Sequence, residues 1–428
     1  MPAPADGSPQ FDAAFQLADL SRDQLAVLLR EWLLHGHLQD RVGIPLLYQY
    51  GVEREGAEQI AIDEWAAASP LYSLRMQDTL GFRGHTVDVI LKNLQFDIGS
   101  PPQYMDFRLK YIDDDHAEFF LAHCGALMDV EPMGEDWVHG MCHTIEDPTF
   151  DATAAATSPF AVMRPIHRPP RTPADRMPHC AWRIDIDPNT TPAVAHPNLA
   201  VVGTSLAARV PVAVIADETA PEGRVGYADT LNPDLRFEDF SHATLLAILS
   251  EVALQSHLLL RSYLLSVTER VSAVVAAEVA PRILTGVAPI TAERLARAFG
   301  ITGTDAAAIG RILQLHPSFQ PAAYVTRRVE VEDASSVRFA LAPSPIFDEA
   351  DDLTWLAALT SEADRSVGAL ARAINPHART AMVETRADEV VAYAITVDDT
   401  VDASSDKPRE EPETALARFS GAATFEFH

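Results

Sequence analysis

Three cysteines, each with a histidine beside it, are the residues of this chain best suited to chemistry: His123-Cys124, Cys142-His143 and His179-Cys180. His139, Cys142 and His143 stand at i, i+3 and i+4, on one face of a predicted helix over about 134–146. His123-Cys124 closes one predicted strand and Cys180 opens another, so strand ends can carry the thiols to that face. Thiolate and imidazole are donors that zinc and iron prefer. A cysteine next to a histidine is equally a nucleophile with a lowered pKa. Glu131, Glu135, Asp136, Glu146 and Asp147 lie near enough in sequence to orient the histidines or to serve as general base. Weighed against this, a lone cysteine in a reducing compartment is more often buried filler than a working thiol.

An internal comparison favours function. Shifted by 219 positions, residues 75–129 lie over 294–348 without a gap, with Arg75/Arg294, Gly81/Gly300, Gln95/Gln314 and Asp129/Asp348 among the identical pairs. Upstream the shift is 220, matching Ser21/Ser241, Glu31/Glu251, His37/His257 and Arg41/Arg261. The chain therefore reads as a tandem duplication: a disordered tail at 1–11, copy one at 12–188, a connector at 189–235 and a degenerate, structural copy two at 236–428, with a surface loop at 400–416. Positions the fold needs should persist in both copies. The cysteines and their histidines do not, since Ala342-Pro343, Ala357, Thr360, Ser361 and Val391 face them.

Each copy predicts the same elements. Ser21 and Ser241 are N-caps of amphipathic helices. A proline-broken helical stretch follows, then a glycine turn and a short helix ending near Gln95 or Gln314. A two-strand hairpin turns at Asp113–Asp115, a helix follows, and a last strand starts at Cys180. VPVAVIAD in the connector and ATFEFH at the end read as further strands. The fold class is α+β, two copies each with a helical N-terminal part and a small mixed part, packed as a pseudo-dimer about a pseudo-twofold axis.

Composition bounds the partners. The net charge of −28, from 61 acidic and 33 basic residues, repels nucleic acid and anionic membrane surfaces. No apolar run reads as long enough to span a bilayer, the N-terminus lacks a secretory pattern, and three cysteines suit a reduced, cytoplasmic protein. A small-molecule substrate is the expected partner, bound by a monomer arranged as a pseudo-dimer or by a homodimer.

The first copy resembles a bacterial family related to L-2-amino-thiazoline-4-carboxylic acid hydrolase. The resemblance rests on His123-Cys124, Glu131, Gly134, Cys142, Pro169-Pro170-Arg171 and Cys180-x-Trp182. It implies hydrolysis of a C–N bond in a small cyclic, amidine- or amide-like substrate. Two routes stay open. A metal ion on Cys124, Cys142 and Cys180, with His123 able to replace one, would supply hydroxide; zinc comes first, iron or iron–sulfur second. Alternatively Cys142 attacks, with His143 or His139 as base and Arg171 holding a carboxylate. The competing readings are a non-catalytic metal or small-ligand binder and a redox enzyme with an iron–sulfur centre on three cysteines. A site shared by the three cysteines requires their sulfurs in a single pocket.

Overall fold

A computed structural model describes residues 11–397 and 410–423, without the side chains of 357, 358 and 360–364. Residues 1–10 of the predicted tail, the side chains facing His139, Cys142 and His143, most of the 400–416 loop and residues 424–428 of the expected last strand lie outside the described residues.

The first half opens with α1 (Arg22–Leu47) and α2 (Arg54–Leu80), followed by α3 (Val87–Leu94). The Ser21 hydroxyl accepts from the Gln24 amide, and the Gln24 side chain returns the bond, closing a capping box. Both long helices run straight through prolines, Pro45 and Pro70, where the sequence predicted breaks in the second. An interior proline costs about 3 kcal/mol; long runs of buried side chains on both helices offset that cost. Gly81 ends α2 with φ +72°, a conformation glycine adopts without steric penalty.

Next come the hairpin strands β1 (Met105–Tyr111) and β2 (His116–Cys124), then α4 (Gly125–Val130). The predicted helix at 134–146 is longer than its pattern suggested. It is a run of α5 (Glu135–His139), a π-helical segment Gly140–Ile145, and α6 (Glu146–Ala155). Strands β3 (Ala161–His167) and β4 (Cys180–Ile186) complete an antiparallel sheet of order β1-β2-β4-β3. Strand β3 escaped the sequence reading because Pro165 interrupts it; it survives as an edge strand, where a missing N–H is tolerated.

The connector holds short helices α7 (Pro197–Val202) and α8 (Leu206–Arg209). VPVAVIAD is unpaired rather than a strand: Val214 is exposed, and the Ala213 amide is taken by Glu251. The second half then repeats the order with α9 (His242–Arg270), α10 (Ala273–Ala298), α11 (Ala306–Leu315), β5 (Thr326–Asp333), β6 (Ser336–Ala342), α12 (Trp355–Ile374), β7 (Arg379–Met382) and β8 (Val391–Thr396). Its sheet order is β5-β6-β8-β7. Register repeats too: Leu121 faces Cys180 and Phe119 faces Trp182, as Leu341 faces Val391 and Phe339 faces Tyr393. Part of the expected surface loop is instead helix α13 (Pro412–Phe419). Its Glu413, expected in a solvated loop, is buried against Arg282 and Arg365.

Helices α9 and α10 are long and apolar enough to cross a bilayer by length and composition, contrary to the sequence reading, with mean hydropathy 1.6 and 1.5. Most of each apolar stretch is buried inside the protein, because α9 packs on α1 and α2, and α10 on α1 and α12.

The halves meet through reciprocal bonds. Arg75 on α2 grips Glu251 on α9 at 2.7 and 3.0 Å, and Arg294 on α10 grips Glu31 on α1 at 2.6 and 3.1 Å. The Gln95 amide reaches the Asn232 carbonyl, and Gln314 reaches that of Asp12. Breaking a buried ion pair strands a charge. Glu251→Gln should therefore lower unfolding stability by about 3–5 kcal/mol, whereas Lys110→Ala, which loses an exposed pair with Glu118, should cost under about 1 kcal/mol. Denaturant titration checks the contrast, and equal effects would refute it.

Candidate functional site

The three cysteines converge, but in the packing layer between sheet and helix. Residues 117, 119 and 121 of β2 point inward; a register shift opposite Asp106/Phe107 then turns Cys124 inward as well. Cys180 starts the inward row of β4, and Cys142 enters from the π segment. All three are buried and free, and each lies within electrostatic reach of Glu146. Burial, reinforced by Glu146, pushes the Cys124 thiol up to about 12 and raises Cys142 and Cys180 well above their ordinary value. The thiols are thus protonated and poorly nucleophilic. Cys124 also has a structural task, its sulfur accepting the Leu127 amide at the start of α4.

The remaining predicted residues are engaged elsewhere. Arg171 makes a two-pronged bond to Glu131 at 3.0 and 2.7 Å, so its guanidinium is already occupied by a carboxylate. His143 shares a 2.7 Å hydrogen bond with the Pro169 carbonyl, and its ring stacks on that of His139. His139 is exposed. His123 lies 5.4 Å ring to ring from His179, whose Nδ1 accepts the Cys124 amide. The Pro-Pro-Arg segment therefore clasps α4 and the π segment together. Among the described residues, no group of three or more His, Cys, Asp or Glu side chains is placed to share a metal ion. Cys124, Cys142, Cys180 and His123 form no such group.

What the first half does enclose is a cavity of about 520 Å³. Helix α1 gives it His37, Asp40 and Arg41; α2 gives Glu58 and Trp65; α4 gives Asp129. The π segment and α6 contribute Gly140, Ile145 and Glu146, and Leu416 and Phe419 of α13 cover it. A π turn changes which side chains face a given side, and such turns recur at functional sites. Here it sends Cys142 to the sheet and Glu146 to the boundary between the thiols and the cavity. A Cβ at Gly140 would meet the Glu58 carboxylate, so this glycine leaves room for that side chain at the cavity wall.

The acidic groups of this cavity are unusual. Glu146 is partly buried as a residue, but its Oε2 is sealed from solvent and has no hydrogen-bond partner. Burial holds its carboxyl up at about 8, with Arg168 opposing and Asp147 reinforcing the shift. Glu64, buried behind the wall, is raised well above the carboxylate range by burial and by Asp40, to which it hydrogen-bonds. Two neighbouring carboxyls both raised by burial favour holding one proton between them, and Asp40 also accepts the Trp65 indole N–H at 2.9 Å. Asp97 is lifted to about 6 by burial. Arg41 lies 3.8 Å from Asp129, donates to His37 at 3.0 Å and sits over the Tyr104 ring. Tyr104, Ser420 and the Gly421 amide all donate to Asp129, which ties the end of the chain to the cavity.

The second half repeats the frame without those acids. Arg261, Tyr324 and Glu349 bond as Arg41, Tyr104 and Asp129 do, so Glu349 takes the role that alignment gave Asp348. Leu260 and Leu284 stand where the 220-residue shift places Asp40 and Glu64. Trp355 is buried against His257 and His35, whereas Trp137 stands off against Tyr48 and lines the cavity. Sequence reasoning missed Asp40 and Glu64, although the comparison that isolated the cysteines also isolates them. Comparison with protein-family models, curated proteins and solved structures finds no match.

The shift at Glu146 has a thermodynamic consequence. Its folded pKa of about 8 lies above the ordinary 4.5, so between those values the folded state holds the extra proton. Stability should fall as pH rises through that window, by up to about 1.4 kcal/mol per pH unit. Glu146→Gln should flatten the loss, measured by denaturation at about pH 5 and about pH 8; an equal loss in both proteins would contradict the assignment.

Proposed function

We propose that the first half binds a small molecule in this cavity and hydrolyses a C–N bond of a cyclic amidine- or amide-like substrate, with carboxyl groups rather than thiols moving the protons. The observation that carries this reading is Glu146: an unpartnered carboxylate oxygen at the wall of a largely apolar cavity, with a pKa near neutrality. A pocket of this size with few convergent polar groups is the usual form of a small-molecule site. A group titrating near the working pH serves well as general base. In this reading Glu146 takes a proton from water as the water attacks the C–N carbon. The Asp40–Glu64 pair, which already holds a proton, returns one to the leaving nitrogen.

We read the second half as a degenerate copy of the first, packed on it as in a pseudo-dimer. The crosswise Arg75–Glu251 and Arg294–Glu31 pairs support this, since each residue bonds the counterpart of its own mate's position. The resemblance to the thiazoline hydrolase family supports the reaction class, while the thiol and metal routes draw no support from the buried, protonated cysteines.

The test compares two variants on a panel of small cyclic amides and amidines, following release of the amine. Glu146→Gln should lose about 100-fold or more in kcat/KM, and Cys142→Ser should stay within a few-fold of the parent. Loss of activity in Cys142→Ser with Glu146→Gln unaffected would reverse the assignment.

A further inference from the structure

We infer that the cavity selects an organic cation with an apolar body, a protonated amine whose ammonium group meets Glu146 and the Asp40–Glu64 pair. The inference rests on the reading of this cavity as a small-molecule site and names the ligand class it takes.

Charge balance is the first argument. Five acidic side chains line the cavity, Asp40, Glu58, Asp97, Asp129 and Glu146, against two arginines. Both arginines already lie beside acids. Arg41 lies 3.8 Å from Asp129 and bonds His37, while its Nε makes no hydrogen bond. Arg54 lies 3.6 Å from Glu58, 3.4 Å from Glu55 and 3.7 Å from Asp136. His37 is kept neutral by burial and by Arg41. What remains without a counter-charge is acidic. Asp97 has Tyr72 and the Gly99 amide as donors, and Asp40 has Trp65. Glu146 Oε2 has none, and Asp40 Oδ1 faces only the Glu64 carboxyl. An anionic ligand would meet more acidic groups than basic ones in this lining.

The walls supply the second argument. Trp65, Trp137, Tyr48, Phe107 and Phe150 line the same space. Aromatic faces attract a cation within about 6 Å, more strongly where water is excluded. They also bury the apolar body of the ligand. Carboxylate and aromatic wall together are the recognition chemistry of a protonated amine.

The surroundings of Glu146 decide how binding responds to pH. From its own helical run it faces Cys142 and Asp147; from β2 it faces Cys124, and from β4 Cys180. Arg168, which follows β3, is the opposing charge acting on it, and that guanidinium is already bound to Asp147 at 2.6 Å. Across the cavity stand Glu58 and Arg54 from α2 and Arg41 from α1. None of these neutralises Glu146, so burial keeps it protonated near neutrality. An arriving ammonium reverses the balance and Glu146 gives up its proton. Binding therefore releases a proton below about pH 8. The same ionisation turns Glu146 into the base that the proposed hydrolysis needs.

The experiment is calorimetric titration of the full-length protein with three probes of matched shape: 3-phenylpropylammonium, 3-phenylpropanol and 3-phenylpropionate. Titrations at about pH 6.5 and about pH 8.5, in buffers of differing ionisation enthalpy, count the protons released. The ammonium should bind about tenfold or more tighter than the alcohol, tighten with pH, and release a proton at the lower pH. Glu146→Gln should weaken the ammonium about tenfold and abolish its pH dependence. Retained alcohol binding by that variant shows that the cavity is intact, and Asp40→Asn should weaken the ammonium in the same sense. Alcohol or propionate binding as tightly as the ammonium would overturn the cation inference while leaving the cavity as a ligand site. Failure of all three probes to bind would count against both.

Discussion

The crosswise pairing of Arg75 with Glu251 and of Arg294 with Glu31 is the interaction on which the rest of the architecture depends. Buried charges are tolerated only when paired and hydrogen-bonded, so these four side chains hold α1, α2, α9 and α10 in a single relative arrangement. That arrangement fixes α1 beside α2 and sets the cavity between them. It also explains the apolar character of α9 and α10, which are the interior of a helical layer shared by both halves. The sheets hang on this layer. The first is backed by α3 and α6, the second by α11 and α12.

Within that frame the two halves use one set of residues differently. The arginine–acid–tyrosine cluster is built in both, from Arg41, Asp129 and Tyr104 or from Arg261, Glu349 and Tyr324. In the second half Trp355 packs against His257 and His35. In the first half Trp137 lies out against Tyr48 and the space is open. The C-terminal helix α13, anchored by Glu413 to Arg282 and Arg365, then crosses from the second half to cover that space, and Ser420 and Gly421 reach Asp129. If the halves arose by duplication, as proposed, the second has become scaffold and lid for the first.

The cysteines illustrate how a correct placement can carry a different chemistry. Cys124, Cys142 and Cys180 do converge, and the residue they converge on is Glu146. Burial raises a thiol and a carboxyl alike, because both are charged only when deprotonated. The thiols are driven out of the useful range and the carboxyl is driven into it. The histidines that made the cysteines look reactive are turned elsewhere, His143 to the Pro169 carbonyl and His179 to the Cys124 amide.

Much of the fold was legible in the chain, because its signals are local. Ser21 and Ser241 cap helices, Gly81 and Gly300 end them at positive φ, and alternation marks β2 and β4. Helix breaks at Pro70, Pro281 and Pro289 were expected and do not occur, because burial along α2 and α10 outweighs a local cost. Edge strand β3 and the short β7 were invisible, since their pairing with β4 and β8 comes from the sheet and not from their own pattern. Reciprocal identities, Glu31/Glu251 and Arg75/Arg294, were visible as separate facts; that they bond crosswise was not. The sequence by itself determined the order of the long helices, hairpin and last strand in each half, the α+β class and which half carries the cysteines and their histidines. Only the tertiary structure decided which of those side chains share a cavity and in what protonation state. Burial and neighbouring charge set that state, and both belong to the packed chain rather than to any stretch of it.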